Sequence, residues 1–89
     1  MYAIVDIETT GGQPTRDGIT EIAIFKHDGH RIIDSYTTLV NPGHSVPAFI
    51  ERLTGISTEM VRDAPSFPEV ARKIVEFTEG CVFVAHNVR

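Results

Sequence analysis

The sequence predicts an α/β fold: a mixed sheet that opens with an antiparallel three-strand meander, continues through helices and closes with a parallel strand. Three observations carry this. Asp28-Gly29 lies between two β-rich runs, the pattern of a tight hairpin whose central positions tolerate positive φ. After Asn41-Pro42-Gly43 the hydrophobic spacing changes from alternation to a helical period. Cys81 to Ala85 is an apolar run of strand length directly after a helical pattern, and a strand reached through a helix pairs in parallel beside the first strand.

The elements follow in order. The first strand covers Tyr2 to Ile7 and runs into Glu8, with the apolar, β-branched content of a central strand. Thr9-Thr10-Gly11-Gly12 breaks the pattern, and Gln13 to Gly18 reads as an exposed loop. The second strand spans Ile19 to Phe25 and the third Arg31 to Val40. Pro47 is expected as the first residue of a helix whose Phe49, Ile50 and Leu53 share one face before Gly55 stops it. Ser57 caps a second short helix through Val61, ended by Ala64-Pro65. The third helix has a capping box of Ser66 and Glu69 and an apolar stripe of Phe67, Val70, Ala71, Ile74 and Phe77, closed by Gly80. There are no repeats.

Composition narrows the function classes. The 89 residues fit one small domain at most, and 42% hydrophobic with 22% charged residues is a globular profile. The single cysteine, Cys81, forbids an internal disulfide and is expected in the core. No apolar run is long enough to span a bilayer and Met1 leads almost directly into a strand, so the expectation is a cytoplasmic protein without a membrane role. The net charge of −4 and the scattered Lys and Arg give no basic face, which argues mildly against nucleic acid. An enzyme that recruits divalent cations through carboxylates escapes that argument, because the cations supply the positive charge.

Asp6 and Glu8 are the informative pair. Strand residues two apart point to the same side, with Cα atoms about 6.6 Å apart. Two ionised carboxylates on a buried strand are costly unless paired or metal-bound. A pair of Mg²⁺ ions about 3.5–4 Å apart would remove that cost. An isolated Asp-x-Glu leaves a second reading open, in which the strand ends at Asp6 and Glu8 is an exposed residue at its tip.

The surrounding residues add a resemblance. Val5-Asp6-Ile7-Glu8-Thr9-Thr10-Gly11 closely resembles the first exonuclease motif of the DEDDh 3′–5′ exonuclease family, the group containing the DNA polymerase III epsilon subunit. Glu21-Ile22, Val40-Asn41-Pro42, Thr54-Gly55-Ile56-Ser57 and Ala85-His86-Asn87-Val88-Arg89 are similar, in order, to later family features. The resemblance implies a ribonuclease H-like exonuclease fold, with residues 1–89 as the N-terminal portion of a single domain. Asp6 and Glu8 would be catalytic metal ligands for two divalent cations, Mg²⁺ or Mn²⁺, with Glu8 bridging both. Thr9 would donate its backbone N–H to the terminal 3′-hydroxyl, and Ile56 would be a hydrophobic wedge against the terminal bases. Asn87 would contact the site or the substrate backbone. For Ile56 the competing reading is helix-cap packing beside Gly55, and for Asn87 a polar strand end.

The implied reaction is two-metal hydrolysis of a single-stranded DNA 3′ end to nucleoside 5′-monophosphates, in proofreading or repair, with a replicative DNA polymerase as a partner. An RNA 3′–5′ exonuclease of the same family is the alternative substrate reading. A non-catalytic nucleic-acid-binding or interaction module on the same scaffold is the alternative class. The family's later motifs supply two further Asp ligands and a His base that this chain lacks, so the 89 residues alone are expected to be inactive. His86 does not correspond to that base. His27, His30 and His44 are expected in solvent, and Glu21 as a hydrogen-bonded partner within the sheet.

Overall fold

The computed structural model describes residues 1–11 and 18–85. The strands are β1 (Tyr2–Thr9), β2 (Ile19–His27), β3 (Ile32–Leu39) and β4 (Val82–Ala85), and the helices are α1 (Ala48–Thr54), α2 (Thr58–Arg62) and α3 (Phe67–Phe77). One sheet runs in the order β3-β2-β1-β4, with β1 antiparallel to β2, β2 antiparallel to β3 and β4 parallel to β1. The expected meander, helices and returning parallel strand are all present. No helix among the described residues is long and apolar enough to cross a membrane.

Local chemistry accounts for the turns. At the β2–β3 hairpin the Asp28 carboxylate accepts the N–H groups of His30 (2.8 Å) and Arg31 (2.9 Å), and Gly29 takes φ 101°, where a side chain would be strained. The Arg31 and His30 donors favour the ionised carboxyl and hold it below the ordinary aspartate range. A lowered pKa means that this support is present at neutral pH and is lost as pH falls through the folded-state value. Helix α1 ends at Gly55 (φ 78°), whose N–H returns to the Glu51 carbonyl at 2.8 Å. Pro47 stands at the N-cap of α1 rather than inside it.

Alternation along β1 sends Ala3, Val5 and Ile7 to one face, opposite Lys26, Ile24 and Ile22 of β2. That face meets α3: Ala3, Ile22, Ile24, Val40 and Val70 form the main buried cluster, with Ile74 and Phe77 packed against it. A second cluster of Val46, Ile50, Ile56 and Val61 sits under α1 and α2. Of the apolar face expected for α1, only Ile50 is buried; Phe49 and Leu53 are each 61% exposed. A helix this short lies on the core along one row of side chains, so its neighbouring rows stay in water.

β4 departs from expectation. Its apolar run suggests a buried strand, yet Val82, Phe83, Val84 and Ala85 are all exposed. The reason is position: among the described residues β4 is an edge strand, paired with β1 on one side only. Cys81 precedes the strand and is partly buried against the main cluster.

The β1–β2 ladder carries a bulge. Glu8 faces Glu21, but Thr9 faces Ile19, so Thr20 is skipped. The Thr20 carbonyl accepts the Val40 N–H at 2.8 Å, while its fully buried hydroxyl has no hydrogen-bond partner. A buried hydroxyl without a partner is costly. Thr20→Val, which keeps the shape and removes the oxygen, is expected to raise stability by about 1 kcal/mol in urea unfolding.

Candidate active site

The site is built on the end of β1. Because β1 runs to Thr9, Glu8 lies within the ladder, so the reading that the strand stops at Asp6 does not hold. Asp6 and Glu8 share the face opposite α3, with Asp6 across from Ala23 and Glu8 across from Glu21. Both are half-buried, and Glu8 Oε2 is withdrawn from solvent. Like charges directly opposite on adjacent strands repel, so Glu8 and Glu21 together favour a cation nearby. On the other side of β1, Val5 pairs with Ala85, so β4 ends next to Asp6.

Oxygen donors of this kind suit a hard divalent cation, which is commonly held by one or two carboxylates, water and substrate phosphate. The fit is to that arrangement and not to an all-protein cage. Among the described residues no three His, Cys, Asp or Glu side chains converge on a common ion position. Glu21 therefore stays a neighbour in the sheet and does not join Asp6 and Glu8 as a third ligand.

Thr9 closes the strand in a compact turn. Its hydroxyl donates to the Gly11 carbonyl at 2.7 Å and accepts the Gly11 N–H at 3.3 Å. Thr10 is buried, its N–H donates to the Gly18 carbonyl (2.9 Å), and its hydroxyl accepts the Gly18 N–H (2.9 Å). The His44 ring reaches the same hydroxyl, with Nε2 at 3.5 Å. His44 is exposed, as expected, but it also touches the base of the segment after β1, which nothing in its sequence context signals.

Ile56 is placed differently from the wedge expectation. It is 4% exposed and packs with Val46, Ile50 and Val61, so in this conformation it has no face to offer a base. The exposed apolar side chains on these helices are Phe49, Leu53 and Met60. The four-residue spacing of Phe49 and Leu53 could have marked them as a row separate from Ile50. Asn87 and His86 lie outside the described residues. An open apolar cleft lined by Val5, Ile7, Phe67, Ile74 and Phe83 lies on the α3 side of the sheet, away from the carboxylates.

Comparison with known proteins agrees with this geometry. The family model for the RNase T exonucleases matches residues 3–89. The chain is 45% identical over 86 residues to a PolC-type DNA polymerase III of Caldanaerobacter subterraneus subsp. tengcongensis, covering 97% of the chain and 6% of that polymerase. It is 40% identical over 88 residues to the 3′-5′ exonuclease DinG of Bacillus subtilis, covering 98% of the chain and 10% of that protein. Among solved structures, exonuclease X in complex with 5′ overhanging duplex DNA superposes with a TM-score of 0.81 at 31% identity, covering 98% of this chain and 49% of that one. The carboxylate strand, the sheet order and these matches place the chain in the RNase T exonuclease family, whose members share a ribonuclease H-like fold and use divalent metal ions. It spans about a tenth or less of the length of these two sequence relatives.

Ile56→Ala is expected to cost about 2–4 kcal/mol of stability in denaturant unfolding, the cost of a cavity in the second cluster.

Proposed function

We propose that this chain supplies the metal-binding strand and the 3′-end contact of a 3′–5′ exonuclease acting on single-stranded DNA, in proofreading or repair. The observation that carries the reading is the pair Asp6 and Glu8, side by side on one face of a central strand and opposite a third carboxylate. Its DNA preference is supported by the DNA polymerase among the sequence relatives and by the similar exonuclease X, whose structure holds duplex DNA. A replicative polymerase is the partner that the first of these suggests.

Asp6 and Glu8 would hold two divalent cations, Mg²⁺ or Mn²⁺. When bound, such ions make a water more acidic and stabilise charge on phosphodiester oxygens. The protein's part is placement. The β2 ladder runs through both positions and the β4 ladder holds β1 up to Val5, so the two carboxylates are fixed relative to each other before substrate arrives and little ordering is left for the binding step. Thr9, one residue beyond Glu8, would give its backbone N–H to the 3′-hydroxyl, which sets the scissile phosphate over the carboxylates. Phe49 and Leu53, exposed on α1 beside the buried Ile56, offer apolar surface on which unpaired bases stack. Asn87 would contact the substrate backbone.

The test uses the intact protein that carries this chain. Asp6→Ala and Glu8→Ala are each expected to lower Mg²⁺-dependent release of nucleotides from a 5′-labelled single strand by at least about 100-fold, with circular dichroism unchanged. EDTA is expected to abolish the wild-type activity, and matched DNA and RNA oligonucleotides separate the two substrate readings. Full activity in Asp6→Ala would overturn the reading in favour of a non-catalytic binding module.

A further inference from the structure

We infer that His44 is a positioning residue: together with Pro42 it clamps the Thr10–Gly18 pair just beyond β1, and so holds the neighbouring Thr9 where it meets substrate. The inference rests on the exonuclease reading only for its effect on substrate, not for the clamp itself.

Two contacts from one turn flank the Thr10–Gly18 pair. Pro42 lies so close to Gly18 that a Cβ there would stand 2.8 Å from Pro42 Cβ and 2.9 Å from the Pro42 carbonyl oxygen. Only glycine fits that approach, and the reason is space, since Gly18 is not among the positive-φ glycines. His44 is the second contact. Its Nδ1 lies 2.9 Å from the Ser45 carbonyl oxygen, an acceptor only, so Nδ1 carries the proton. In the neutral ring Nε2 is then an acceptor, facing Thr10 Oγ1 at 3.5 Å. Thr10 Oγ1 already accepts from the Gly18 N–H at 2.9 Å. A donor order compatible with these contacts runs from Gly18 N–H to the Thr10 hydroxyl, from that hydroxyl to His44 Nε2, and from His44 Nδ1–H to Ser45. The 3.5 Å step is the long end of hydrogen bonding, so this link trims the position of Thr10 and does not hold the fold.

The turn that carries both contacts is itself fixed. Asn41 Oδ1 accepts the Gly43 N–H at 2.8 Å, Asn41 Nδ2 donates to the Arg62 carbonyl at 3.1 Å, and the Asn41 N–H donates to the Pro65 carbonyl at 2.9 Å. The clamp is thus anchored on the far side by the end of α2 and the segment that follows it. His44 is exposed and belongs to neither buried cluster, so replacing it leaves the core intact.

The test is a double-mutant cycle on the intact protein with His44→Leu, Thr10→Val and the pair, alongside His44→Gln, which keeps an acceptor near the hydroxyl. His44→Leu is expected to raise KM for a single-stranded oligonucleotide by about 2–10-fold with little change in kcat, the range of one hydrogen bond. His44→Gln is expected to restore most of the loss, and the double variant to be no worse than Thr10→Val. Hydrogen–deuterium exchange should rise in peptides containing Thr10 and Gly18. Simple addition of the two single effects, or unchanged KM and unchanged exchange in His44→Leu, overturns the inference. Should the wild-type protein release no nucleotides, the exonuclease reading fails and the exchange measurement alone decides the clamp.

Discussion

Everything at the candidate site depends on β1 being locked into the sheet, by β2 along its whole length and by β4 up to Val5. A strand that carries two carboxylates on one face has a reason to twist away or fray, because ionised groups prefer water. The β2 ladder, which pairs both carboxylate positions, removes that freedom, and the β4 ladder steadies the strand up to Val5. The opposite face adds to it: Ala3, Val5 and Ile7 are tied to the apolar layer under α3, so any rotation of β1 that relieved Asp6 and Glu8 would expose them. Position of the carboxylates is therefore set by apolar residues that never touch them.

Much of this was legible in the sequence because it is written in short-range rules. The Asp28-Gly29 turn, the Ser66–Glu69 box and the alternation in the first strand each involve residues within a few positions of one another, and each appears in the structure as read. Asp6 and Glu8 belong to the same class, since period-two geometry puts them on one face wherever the strand lies. What failed to show were properties set by distant partners. Phe49, Leu53 and Ile56 look equally apolar in sequence, but only the packing of α1 against Val46 and Val61 decides that Ile56 is inside and the other two are not.

β4 makes the same point more sharply. Composition alone reads Cys81 to Ala85 as a buried strand, and the pairing with β1 is real, yet every described residue of β4 is exposed. Burial is a property of neighbours, and sequence gives the strand without giving its far side. His44 is the converse case. A loop histidine is expected in solvent, and its reach to Thr10 depends on the Asn41–Pro42–Gly43 turn bringing it back across more than thirty positions of chain.

The pairing of Tyr2 with Val82 has a further consequence, for the order of assembly. Closing a loop becomes harder with its length, by about 0.6 kcal/mol for each doubling, and non-local pairings are the slow ones to form. The meander joins strands that are close in sequence, so it can zip from its hairpins as the chain leaves the ribosome. The β1–β4 ladder is the non-local one, because it joins Tyr2 to Val82, and loop closure sets against it the largest entropic cost in the sheet. Until β4 pairs, β1 has an open edge from Tyr2 to Val5, whereas Asp6 and Glu8 take their spacing from the strand itself and from the β2 partners already beside them.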